Sequence, residues 1–350
     1  MRFPKNLPIN GTIGFLAPSF GCATEPYYSA FQNALRGWQE QGYAVKPGPN
    51  CLLSEGIGIS NTPEKCGMEV MEMFADEESD VLISCGGGEL MCEDLDYIDF
   101  ERLVQLPPKW YMGYSDNTNL TYLLATLCDM ASIYGPCASA FGMEPWHPSL
   151  GDAWQLLTGE KHTVNGYDKW ERESLKDEEH PLLPYHVTEP RIHKLYVDGQ
   201  LIENAADSDV SFQMQGRLLG GCMDCLVNLL GTEYDRTVEF AERYREDGIL
   251  WFLEACDLNV FGIRRAMWQM EHAGWFRHVK GFLFGRPRNG ESMMGLDACQ
   301  AVLETAKRYQ VPVIMDMDIG HLSPMMPLVT GSIGMVKVQR NDVEITMKYE

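Results

Sequence analysis

The sequence predicts an α/β protein whose N-terminal part is an open parallel sheet. Short apolar runs alternate with segments of helical spacing, and glycine or proline breaks separate them. A polar stretch over residues 147–205 interrupts the alternation, which then resumes. The chain is therefore read as 1–150, a 151–205 connecting segment with long loops, and 206–350.

"GTIGFLAPSF" reads as a first buried strand ending in a loop. In the helix after it, Tyr28, Phe31, Leu35 and Trp38 fall on one face, and Gly42 stops it. "YAVKPG" is a second strand, and "PEKCGMEVMEMFADEE" a helix with Pro63 near its start. "SDVLISCGGGE" runs from a third strand into a glycine loop, "KWYMGYSD" is a fourth strand before the helix "NTNLTYLLATLC", and "ASIYGP" is a fifth. Trp154 and Leu156–Leu157 indicate one more helix. Beyond 206, "GRLLGGCMDCLVNLLGT" reads as a helix opened by glycines and "DGILWFLEACD" as a strand ending in an acid. The next helix carries Ile263, Met267 and Met270 on one face. "VKGFLFGR" and "VPVIMDMDIGH" are strands flanking the helix "ACQAVLETAKRYQ", and a hairpin turning at Asn341-Asp342 ends the chain.

With 350 residues at 45% hydrophobic composition the chain can fill two cores. Its net charge of -22, from 50 acidic and 28 basic residues, repels phosphate backbones and anionic lipid and argues against nucleic-acid or membrane partners. No run approaches the roughly 18 apolar residues of a spanning helix, and "MRFPKNLPIN" has no apolar signal core. Eleven scattered cysteines, mostly inside apolar runs, fit a reducing cytoplasm. Cys222 and Cys225 form a C-x-x-C without two further ligands at matching spacing, so buried helix thiols are the default and no metal is expected.

Active sites of parallel α/β sheets gather at the carboxyl ends of strands. That filter selects Ser115 after "WYMGY", Glu254 after "ILWFL", His321 after "VPVIMDMDIG" and the glycines 86–88 after "VLISC". Ser115 is either a helix cap or a nucleophile; Asp116 can cap in its place, and Gly113 permits a tight turn. The G-x-S-x-G elbow is absent, because Asn117 stands at its second glycine. A serine needs a base, and His321 alone among eight histidines directly follows an apolar strand. It is either that base or a satisfied structural histidine. Glu254 is either the imidazole's acceptor or an ion-pair partner of Arg264 or Arg265. The 86–88 amides can line an oxyanion hole with the Asp116 amide, or cradle a phosphate.

"SCGGGELMCEDLDYIDF", "GYSDNTNL", "LLGGCMDCLVNLLGT", "ILWFLEACD", "VKGFLFGRP" and "DIGHLSPMMPLVTG", in this order, resemble the LD-carboxypeptidase family of serine peptidases, which includes the microcin C self-immunity peptidases. The resemblance implies a flavodoxin-like N-terminal domain, a smaller C-terminal α/β domain and a Ser115–Glu254–His321 triad. It places oxyanion donors at Gly88 and Asp116 and implies a homodimer that uses no cofactor or metal. Substrate contacts are expected from Gly87, Glu89 and Trp170. The substrate is then a murein-type L,D-peptide or a microcin C-like peptidyl or aminoacyl nucleotide. Trp170 in "YDKWERES" resembles the aromatic that stacks on the nucleotide in the immunity branch, but Val164 and Tyr167 stand where that branch has a second Trp. The alternatives are a non-catalytic binder of a nucleotide or peptide on the same scaffold, and a flavin- or nucleotide-binding protein using the glycine loop.

Overall fold

The computed structural model describes residues 1–202 and 211–349. The expected boundary at 205/206 lies outside them. Two units emerge: Met1–His162 with Glu173–His186, and Thr163–Arg172 with Val187–Glu350.

The first unit contains β1 (Thr12–Leu16), α1 (Tyr27–Glu40), β2 (Ala44–Pro47), α2 (Pro63–Ala75), β3 (Val81–Ser84), α3 (Phe100–Gln105), β4 (Trp110–Gly113), α4 (Thr118–Thr126), β5 (Ser132–Tyr134) and α5 (Pro148–Thr158). Its strands pair in parallel in the order β2-β1-β3-β4-β5, the flavodoxin-like order. Helices cover the faces, so β3 and β4 are buried along their whole length. Phe31 and Trp38 of α1 meet the Phe15 ring at 5.5 and 5.3 Å, whereas Tyr28, in the helix's first turn, is exposed. Pro63 opens α2, where a missing amide proton costs nothing. The buried Glu69 carboxylate on α2 accepts the Ala17 and Asn50 amide protons and ties the loops after β1 and β2.

The second unit contains β6 (Thr163–Asn165), β7 (Lys169–Trp170), β8 (Glu189–Pro190), β9 (Lys194–Val197), β10 (Gln200–Leu201), β11 (Ser211–Cys222), α6 (Met223–Leu229), α7 (Thr237–Arg243), β12 (Ile249–Glu254), α8 (Val260–His272), β13 (Val279–Gly285), α9 (Ala298–Ala306), β14 (Val313–Met317), β15 (Leu328–Thr330), β16 (Ile333–Gln339) and β17 (Asp342–Lys348). Nine strands order as β10-β9-β14-β13-β12-β11-β16-β17-β6, parallel from β11 to β14 and antiparallel at both flanks. This unit is comparable in length to the first. Ile263, Met267 and Met270 of α8 are buried as their spacing requires.

Two local readings are corrected. Residues 216–222 are not the start of a helix but the second half of β11, and α6 begins only at Met223. The glycines serve close backbone approach: a Cβ at Gly220 would lie 1.7 Å from the Phe252 carbonyl oxygen of β12. The terminal hairpin turns on Arg340-Asn341, because Gln339 already pairs with Asp342, and Arg340 takes the left-handed φ of 57°. The 151–205 stretch divides between the units. Its first part completes α5, 173–186 stays with the first unit, β6 adds to β17, and β7 pairs with β8. Among the described residues no helix is long and apolar enough to cross a membrane.

Candidate active site

Ser115 is in the first unit, at the carboxyl end of the buried strand β4. Its φ of 61° lies in the left-handed region, which a side chain occupies at a cost of roughly 1–2 kcal/mol. A short 3-10 turn, Ser115–Asn117, leads into α4, and neither helix start carries a side-chain cap bond, so the capping role expected of Ser115 or Asp116 is not what holds the turn. Packing and hydrogen bonds hold it instead. Asn117 donates to the carbonyls of Gly86 (2.8 Å) and Tyr114 (3.0 Å) and accepts from the Tyr111 hydroxyl. A Cβ at Gly113 would sit 2.9 Å from Asn117 Cγ, so glycine is required there. The Ser115 amide donates to the Tyr134 hydroxyl at 3.4 Å.

Asp116 braces three segments. Its carboxylate accepts from Ser19 Oγ at 2.6 Å, from the Met91 amide at 3.0 Å and from Asn119 Nδ2 at 3.0 Å. Burial pushes its pKa up to about 6, while the Ser19 hydroxyl pulls the other way. Nearby Asp94 is fully buried, and neither of its carboxyl oxygens has a hydrogen-bond partner among the described residues. Burial, and then the Asp116 charge, raise its pKa to about 9.

The glycine loop lies against the serine. A Cβ at Gly87 would come within 3.2 Å of Ser115 Oγ, and one at Gly88 would strike Ser19 Oγ. The Gly87 carbonyl accepts from the Phe20 amide, and the Glu89 amide donates to the Gly58 carbonyl. The Glu89 side chain is exposed.

His321 and Glu254 are in the second unit. Glu254 ends β12 with no exposed surface, and the partner it finds is His321, whose Nδ1 is 2.9 Å from Glu254 Oε2. Burial works against charging this imidazole. The Glu254 carboxylate and the Cys256 sulfur outweigh it and hold the pKa well above the ordinary histidine value. Two glycines make the pairing possible. At Gly320, with φ 100°, a Cβ would lie 2.5 Å from Glu254 Oε2; at Gly285 it would strike the Ile319 carbonyl. The loop before His321 is anchored by Asp318, which is buried against the Arg286 guanidinium and accepts the Tyr167 amide proton at 2.8 Å. Arg286 also donates to the Asp316 carbonyl at 2.7 Å.

Trp170 in β7 is half-buried. Its indole N–H donates to the Pro190 carbonyl at 3.2 Å, and the guanidinium carbons of Arg286 and Arg172 lie 5.1 and 5.4 Å from its ring centroid. Sequence reasoning missed Tyr134, Gly285, Gly320 and the Arg286–Asp318 pair. Only the glycine beside His321 in "DIGH" left a local trace. It also placed Cys222 on a helix, whereas Cys222 ends β11 directly opposite Glu254.

Comparison with known proteins fits this architecture. Residues 13–135 match the family model of the LD-carboxypeptidase N-terminal domain, and residues 215–335 that of the LD-carboxypeptidase C-terminal domain. The microcin C7 self-immunity protein MccF of Escherichia coli is 23% identical over 98% of this chain and 95% of its own. A probable murein peptide carboxypeptidase of Bacillus subtilis is 25% identical over 99% of this chain and 94% of its own. Among solved structures, MccF in complex with glutamyl sulfamoyl guanosine superposes with a TM-score of 0.80 at 20% identity, covering 99% of this chain and 98% of that one. An MccF-like protein of Bacillus anthracis gives 0.80 at 18% identity, covering 99% and 100%. With both family models matched in order over most of its length, the chain belongs to the LD-carboxypeptidase family and is a serine peptidase.

Proposed function

We propose that the chain hydrolyses an amide bond of a small peptide or peptidyl nucleotide, with Ser115 as nucleophile, His321 as general base and Glu254 as the group that orients the imidazole. The observation that carries this reading is the 2.9 Å contact between the half-buried His321 and the buried Glu254, a pairing that fixes one tautomer and stabilises the imidazolium. The left-handed backbone of Ser115, with its side chain set close against Gly87, supports its role as nucleophile.

Ser115 Oγ attacks the carbonyl carbon while His321 accepts the hydroxyl proton. The oxyanion is met by the Gly88 and Asp116 amides, each typically contributing about 3 kcal/mol. The C–N bond then breaks, and His321 returns its proton to the departing amine. Water, deprotonated by the same imidazole, releases the acyl group.

Two substrate classes follow from the relatives. The Bacillus subtilis relative is named for murein peptides, and MccF has been captured with aspartyl sulfamoyl adenosine. Trp170 would bear on the second class through its ring. The test is a side-by-side hydrolysis panel of murein tetrapeptide, aminoacyl sulfamoyl adenosine and plain acyl dipeptides. Cleavage of at least one substrate, lost in Ser115→Ala, is expected. No cleavage of any, with no labelling of Ser115 by a fluorophosphonate, would favour the non-catalytic binder.

A further inference from the structure

Among the described residues, the Cys222 thiol, the Glu254 carboxylate and the His321 imidazole each place one donor atom within 4.8 Å of the others. Strand register brings them together. Cys222 is the residue paired with Glu254 across β11 and β12, and the loop after β14 lays His321 on Glu254. Cys222 and Glu254 are buried and His321 is half-buried. Two groups that ionise to anions, buried beside an imidazole, are complemented by a dipositive ion, which neutralises both at once. One sulfur, one nitrogen and one oxygen with a fourth position for water is a donor set suited to zinc.

We propose that Cys222, Glu254 and His321 form an inhibitory binding site for a divalent cation of the zinc class. On binding, the thiol and the charged imidazole each release a proton to solvent, a sulfur–metal and a nitrogen–metal bond form, and no group changes oxidation state. The carboxylate and a ring nitrogen complete the protein ligands, so the ion displaces or diverts the imidazole needed for proton transfer. The inhibitory consequence rests on the catalytic reading of His321; the binding itself does not. Cys225 and Cys256 are the competing thiols, one on the first turn of α6 and the other two residues beyond Glu254.

The test is cobalt(II) titration of the full-length reduced chain, with zinc(II) as competitor. A thiolate-to-cobalt charge-transfer absorption at one ion per chain is expected, removed by zinc. Cys222→Ser should abolish it, Cys225→Ser and Cys256→Ser should keep it, and Cys222→Ala with circular dichroism guards against a folding defect. Zinc should inhibit hydrolysis by the native chain, and Cys222→Ser should need at least about tenfold more. No absorption in the native chain, or an unchanged one in folded Cys222→Ser, overturns the site. Absorption with undiminished hydrolysis leaves the metal site standing and overturns His321 as the base.

Discussion

Gly320 stands where any side chain would collide with Glu254: a Cβ there would lie 2.5 Å from Oε2 and 2.7 Å from the carboxyl carbon. The residue before the histidine therefore determines whether the histidine can meet its acceptor. Gly320→Ala should misplace the pair by a fraction of an ångström or more and lower kcat/KM by about 100-fold. Steady-state hydrolysis beside a melting curve checks it; activity within threefold of native would refute the spatial requirement.

Ser115→Ala should remove nearly all hydrolysis, by about a millionfold in kcat if the three groups act as a unit. Asn117, Gly113 and Asp116 hold the turn, so Tm should stay within a few degrees of native. A variant that retains a tenth of the activity would eliminate the proposed nucleophile.

The pH profile follows from the raised His321 pKa. A base must be neutral to accept a proton, so the acid limb of kcat/KM should fall above the ordinary value of about 6.5. Glu254→Gln should move that limb to lower pH and lower the plateau. The sign for stability is opposite. The charged pair stabilises fully below pH about 6.5, and this contribution fades as pH rises through the elevated value. A native acid limb at or below the ordinary histidine value would contradict the coupling.

Asp94 is protonated in the fold near neutrality and ionised in the unfolded chain. Its raised pKa destabilises the fold progressively as pH climbs from the unfolded carboxyl range to about 9. Asp94→Asn should raise stability at pH 7 by roughly 1 kcal/mol or more and flatten the alkaline fall. Denaturant titration at two pH values reads this directly, and a destabilised variant would show that the carboxyl has a partner.

Asp318→Ala leaves the Arg286 guanidinium buried without its anion. It should cost about 3–5 kcal/mol and loosen the loop that carries His321, so kcat should fall as well. Trp170→Ala removes the ring beside Arg286 and Arg172 and the indole N–H bond to the Pro190 carbonyl, and should weaken aminoacyl-nucleotide hydrolysis more than murein-peptide hydrolysis. Equal losses on both substrates would make Trp170 a packing residue.

The strand–helix alternation was legible because buried parallel strands and amphipathic helices leave different apolar periods. Ser115 and Glu254 were legible as strand-end residues for the same reason, whereas β14 stops at Met317 and His321, read at the end of that strand, lies in the loop beyond it. What stayed hidden depends on register between distant strands. Gly220 and Gly221 look like helix openers until β12 lies beside them. Cys222 looks like a helix thiol until it faces Glu254. The Arg286–Asp318 pair joins positions 32 residues apart, and no local pattern announces it.

The chain leaves the first unit at 162, returns for 173–186 and departs again at 187. No single cut can therefore release both halves whole. A fragment ending at 162 lacks Leu182, whose carbonyl accepts the Glu144 amide proton. One beginning at 187 lacks β6 and bares the flank of β17, an uncovered strand edge open to self-association. Separate expression of the halves needs a relinked or permuted chain, and simple truncations are expected to aggregate.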